Sequence, residues 1–185
     1  MVITESIIIR DNGEVILNGA VLPYEERGLD LLLAIYRREI NDWPKFYKMD
    51  TLSKLGFVAS ELLLKEEKNR FVPREDRAVV LFNRSGSLCD DIHYQGTIKE
   101  GEAYFPSPSI FVYTLPNIVT GEIAIRNKYY GETSFYVLEK LDMDAIERTM
   151  QGTFSDKSTN SAIGGWVECS GDNSFEAKMF LAFKD

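Results

Sequence analysis

Five consecutive apolar residues, Ala78-Val79-Val80-Leu81-Phe82, constrain the fold of this chain more than any other feature. Pro73 and Asp76 precede them, and the run reads as a buried strand. A strand that is apolar on both faces must be covered on both, as in a sheet with helices packed against it. The 185 residues suffice for one domain with a real core. A content of 44% hydrophobic and 27% charged residues is ordinary for a globular protein and argues against disorder.

The rest of the pattern supplies the cover. Asp11-Asn12-Gly13 lies between the β-branched stretches 6–10 and 14–22 and predicts a hairpin, because Asn and Gly tolerate positive φ. Leu29, Leu32, Leu33, Tyr36 and Ile40 share one helical face, predicting a helix over 29–40. Asp50 is a good N-cap for a second helix reaching about Lys65, in which Gly56 weakens the helix and permits close packing. Residues 83–108 are polar and rich in Gly, Ser and Pro, predicting a loop, or a loop with a short helix, that is a candidate functional or interface segment. A helix is expected from Pro116 to about Tyr130, ended by Gly131, then a strand over 134–138. Asp142 caps a helix with Met143, Ile146 and Met150 on one face. Strands over 162–169 and 175–183 follow, joined by a turn, with Gly164-Gly165 allowing close approach across the first of them. Strands alternating with helices, without internal repeats, give an α/β layered fold.

Composition excludes several function classes. The longest apolar run, 31–36, is far short of a membrane span. The first residues lack a basic stretch followed by an apolar one, so no signal peptide is expected and a cytoplasmic setting is the default. A formal charge of −8 without a basic stripe argues against nucleic acid. Two cysteines, Cys89 and Cys169, far apart and without CxxC spacing, exclude a disulfide scaffold and speak against zinc. With His93 the only histidine, neither a metal nor a cofactor is expected.

Several strings carry a family resemblance. Tyr47-Lys48-Met49-Asp50 with the helix it opens resembles the Lys/Arg-Met-Asp segment of β-ketoacyl-acyl-carrier-protein synthases, and Ala78–Phe82 is similar to their following strand. Leu115-Pro116-Asn117 and the residues to Ile125 resemble their Pro-Asn helix. Tyr130-Gly131-Glu132-Thr133-Ser134-Phe135 resembles their Gly-Pro-Ser-Phe-type strand, and Gly164-Gly165-Trp166-Val167-Glu168 their Gly-Gly-x-Glu strand. The matches run in order over residues 43–170 and imply half of a thiolase-like fold, a mixed sheet of about five strands with helices on its faces.

The resemblance also shows what is missing. In active members the nucleophilic Cys follows the Ser-Phe-type strand by a few residues. Here Val137-Leu138-Glu139-Lys140-Leu141-Asp142-Met143 holds no Cys, Ser or Thr. The family's catalytic His residues belong to a second half that would begin where this chain ends. Condensation needs a thiolate, oxyanion donors and His, so no catalytic residue is assigned. The resemblance implies substrate-pocket or dimer-interface roles for Phe111, Thr114, Asn117, Ser134 and Phe135. It also implies pairing through the strand at 134–138, as a homodimer or as a heterodimer with a complete ketosynthase.

Arg37, Arg38, Lys45, Lys48 and Lys54 form a mild basic excess, a docking candidate for an acidic acyl carrier protein, though a solvated helix face accounts for it more readily. Cys89 and His93 would face each other only if their loop were helical, and Cys169 reads as a small buried hydrophobe. Asp90-Asp91 reads as turn chemistry, and Glu122 as a solvated or interface side chain. Trp43, Phe46, Tyr47, Tyr104, Phe105, Phe111 and Tyr113 form two aromatic clusters that fit core or interface. The expected function is that of a non-catalytic, chain-length-factor-like ketosynthase subunit in fatty-acid, polyketide or aryl-polyene biosynthesis. The alternatives are an acyltransferase using Cys89 and a stand-alone acyl or acyl-carrier-protein binding module.

Overall fold

A computed structural model describes residues 1–99 and 106–185. Their strands form one mixed sheet, ordered β3-β2-β1-β7-β6-β4-β5. These are β1 (Val2–Arg10), β2 (Val15–Leu17), β3 (Ala20–Val21), β4 (Arg77–Asn83), β5 (Thr133–Val137), β6 (Ser161–Gly171) and β7 (Ser174–Phe183). The helices are α1 (Gly28–Glu39), α2 (Thr51–Leu63), α3 (Leu88–Lys99), α4 (Pro108–Tyr113), α5 (Ile118–Asn127) and α6 (Met143–Thr153), with a 3-10 turn over Pro44–Lys48. β4 runs parallel to both β5 and β6, and the remaining pairings are antiparallel.

Every residue of β4 is buried, because both faces of the sheet are covered. On one face Val79 and Leu81 join Ile163, Val167, Met179 and Leu181 under α1, α2 and α5. On the other, Ala78, Val80 and Phe82 meet Trp166 and Phe180 under Ile146 and Met150 of α6. α2 is buried almost all round, which its apolar sequence permits. Its Gly56 lies against Val119 of α5, where a Cβ would collide, so the close packing expected of this glycine is present.

The α/β class and mixed sheet agree with the sequence reading, and the sheet is larger than the five or so strands expected. A second Asn-Gly turn, Asn18-Gly19 (φ 52° and 80°), folds the expected 14–22 strand back on itself as β2 and β3. Most of the described part of the expected loop at 83–108 is α3, and α4 begins at its end. The 116–130 helix is shorter than expected. Lys128 ends it in the left-handed region (φ 57°), while Gly131 serves a different need: a Cβ there would come within 2.5 Å of the Arg77 carbonyl oxygen. Tyr104 and Phe105 lie outside the described residues.

Candidate functional site

In open α/β sheets, crevices form beyond the carboxyl ends of parallel strands. Here β4 ends at Asn83 and its parallel neighbour β6 at Gly171, two residues past Cys169. The buried Asn83 side chain fixes the turn that follows, donating to the Gly86 carbonyl (2.8 Å) and accepting from the Gly86 N–H (2.9 Å). That turn launches α3, so Cys89, Asp90 and His93 reach the crevice from one side. The N-terminus of α2 and Asp172, in the β6–β7 turn, arrive from the others.

Acids dominate the crevice. Asp50 caps α2, accepting from the N–H groups of Leu52 (3.1 Å) and Ser53 (3.2 Å). Asp90 is 8% exposed and hydrogen-bonds to Asp50. Burial, reinforced by the Asp50 charge, pushes Asp90 up to about 8. Burial raises the Asp50 carboxyl as well, so the pair holds a proton more readily than two ordinary carboxyls would. Asp172 accepts from the buried Thr51 hydroxyl at 2.8 Å. Lys54 faces all three carboxyls, with its ammonium on the Met49 carbonyl, and burial lowers its pKa. Beside them, Glu122 of α5 is only 4% exposed and pairs with Lys45 at 2.8 Å. Burial and the Glu122 charge push the Tyr113 phenol up to about 12.

The thiols are not activated. Burial raises Cys89, and Asp172 and Asp90 raise it further. Cys169, buried as expected, is pushed up to about 12 by burial. A nucleophilic cysteine needs the opposite shift. Because the loop is helical, Cys89 and His93 do lie one turn apart on α3.

The remaining candidates scatter. Phe111 and Thr114 lie at α4, with Phe111 against Tyr94 (5.3 Å between ring centroids) and the Thr114 carbonyl accepting from Ser87. Asn117 occupies the N-cap position of α5 without a side-chain hydrogen bond to the helix. Ser134 and Phe135 sit on the edge strand β5, away from the acid cluster in sequence and held by β4. Of the basic residues, Arg37 and Lys48 are exposed, Arg38 pairs with Glu26, Lys45 with Glu122, and Lys54 is half-buried. Two readings need correction. Asp90 is a buried helix residue, not a turn former, and Glu122 is a buried ion-pair partner, not a solvated side chain. The Asp50–Asp90 and Thr51–Asp172 contacts join segments too distant in sequence for any periodicity to reveal.

No family model and no curated protein sequence matches the chain. Solved structures do. The ishigamide ketosynthase/chain length factor superposes with a TM-score of 0.69 at 17% identity, covering 99% of this chain and 62% of that one. A ketosynthase in complex with its chain length factor from Xenorhabdus doucetiae gives 0.60 at 15% identity, covering 99% and 79%. A β-ketoacyl synthase from Burkholderia phymatum gives 0.59 at 13% identity, covering 99% and 59%.

The fold is thiolase-like.

At these identities the likeness is one of fold, and the chain spans less than two thirds of the length of the first of these structures. In the thiolase-like frame, β5 is the strand whose sequence resembles the family's Ser-Phe-type strand. The chain leaves it through Leu138 to Asp142, which caps α6 by accepting from the Ala145 N–H at 2.9 Å. No thiol, hydroxyl or imidazole side chain stands in that segment.

Proposed function

We propose that the chain is a non-catalytic ketosynthase-like subunit that pairs with a complete ketosynthase, in the manner of a chain length factor, in fatty-acid, polyketide or aryl-polyene biosynthesis in the cytoplasm. The observation that carries this reading is the link from β5 to α6. It keeps a strand and a capped helix and lacks the nucleophile between them. The raised thiol of Cys89 supports the same reading against an acyltransferase.

Partnership has its own support. β5 is the last strand of the sheet, and Tyr136 and Val137 on it are 41% and 58% exposed. An edge strand with exposed apolar side chains is a template for pairing with another chain. Arg37 and Lys48 are exposed basic residues for an acyl carrier protein to meet, as are Arg38 and Lys45, which are already paired with Glu26 and Glu122.

The test is affinity purification of the tagged full chain from its own cells, with partners identified by mass spectrometry. The expected partner is a ketosynthase with an intact nucleophilic Cys, lost on Val137→Asp. Recovery of the chain without a ketosynthase contradicts the proposal.

A further inference from the structure

Sequence spacing speaks against zinc because the two cysteines are far apart. Folding changes the neighbourhood. The Cys89 sulfur, a His93 ring nitrogen and an Asp172 carboxylate oxygen lie within 4.8 Å of one another. Cys89 and His93 share one face of α3, and Asp172 comes from the β6–β7 turn. The Cys169 thiol donates to the Gly171 carbonyl oxygen (3.4 Å) and leaves this group to the other three residues.

We propose that Cys89, His93 and Asp172 bind a zinc-class divalent cation that fastens α3 to the β6–β7 turn.

Tetrahedral zinc holds sulfur at ~2.3 Å and nitrogen or oxygen at ~2.0–2.2 Å, so its ligand atoms stand ~3.3–3.8 Å apart. Lying within 4.8 Å of one another, the three groups need to close by at most about 1–1.5 Å to reach that spacing. His93 and Asp172 are exposed and can rotate, while Cys89 on the helix is the half-buried anchor. Asp172 is already oriented by Thr51 through the 2.8 Å hydrogen bond, the kind of outer support that metal-bound carboxylates need.

Charge favours a cation. The site lies beside Asp50 and Asp90; the half-buried Lys54 faces these acids, and Arg84 lines the outer cleft. Access is open, because a cleft of about 210 Å³ lined by Leu88, Cys89, Ile92 and His93 leads to the sulfur. The donor set selects the metal. A thiolate with an imidazole suits zinc or cobalt, whereas magnesium and calcium prefer oxygen donors. On binding, the Cys89 S–H bond breaks, its proton goes to solvent and a sulfur–metal bond forms, with no change of oxidation state. Water completes the fourth position. This inference stands independently of the ketosynthase reading.

The test uses the full chain, freed of metal by a chelator, and titrated with cobalt(II) as probe, then with zinc in competition. The expected result is one cobalt per chain with a thiolate-to-cobalt charge-transfer absorption that zinc abolishes. Cys89→Ser should remove that absorption, and His93→Gln and Asp172→Asn should each weaken binding at least about tenfold. Asp172→Asn changes an exposed turn residue, so it keeps the test decisive if Cys89→Ser fails to fold. Absence of cobalt binding overturns the proposal. So does binding whose affinity is unchanged in Asp172→Asn and His93→Gln, which would be adventitious.

Discussion

Arg77 shows how one residue joins sequence-distant segments. Its fully buried guanidinium, on the first residue of β4, meets Glu67 at 2.6 Å, the Ser161 hydroxyl at 2.9 Å and the Tyr129 hydroxyl at 3.1 Å. Removing one partner of a buried pair leaves an uncompensated charge, so Glu67→Ala should cost about 3–5 kcal/mol in urea unfolding. Arg77→Met should cost less, because Glu67 keeps Arg74 at 3.4 Å. The reverse order would refute this assignment. Asp76 gives a pH signature. Its paired hydrogen bonds from Arg74, both 2.9 Å, hold its carboxyl below the usual range. The stabilisation is present above the unfolded-state value and is lost as pH falls through the depressed folded-state value. Asp76→Asn should therefore destabilise by up to about 1 kcal/mol at neutral pH, and the difference should vanish in acid when stability is followed by denaturant titration. At this scale the sequence revealed what is local. Asp50 was readable as a cap from its place before an apolar helix, but its bond to Asp90 was not, since nothing near either residue encodes the other.

Among the elements, legibility followed amphipathicity. The helices at α1, α2 and α6 carry apolar stripes that meet the core, and their spacing announced them. α3 carries no such stripe. Leu88 and Ile92 point to solvent and acids fill its first turn, so its sequence resembled a loop. β2 and β3 read as one stretch because apolar residues stand on both sides of Asn18-Gly19, a turn equivalent to Asn12-Gly13. The α2–α5 contact offers a test at this scale. Gly56→Ala would gain about 1 kcal/mol from helix propensity in isolation. Here its Cβ meets Val119, so a net loss of about 1–3 kcal/mol is expected. The double variant Gly56→Ala/Val119→Ala should be more stable than the sum of the singles by about 1 kcal/mol, measured as a double-mutant cycle. Strict additivity would mean that the two helices do not meet through these side chains.

The whole molecule combines a covered interior with an open margin. Both faces of β4 are sealed, whereas β5 ends the sheet and exposes Val137. Among the described residues, no helix is long and apolar enough to cross a membrane. Five short strings, each commonplace alone, pointed to the thiolase-like fold because they kept their order along the chain. Of the aspartates in the crevice beyond β4, those strings held Asp50 alone; Asp90 and Asp172 lie outside them, which is why the crevice emerged only from the structure. The proposed role is participation in acyl chemistry without carriage of the acyl group. It is tested most directly by the intact-protein mass of the full chain after incubation with an acylated acyl carrier protein. The expected spectrum shows the unmodified chain, with the carrier still acylated. A stable mass gain equal to the acyl group, on Cys89 or any other residue, would contradict the claim and make the chain an acyltransferase.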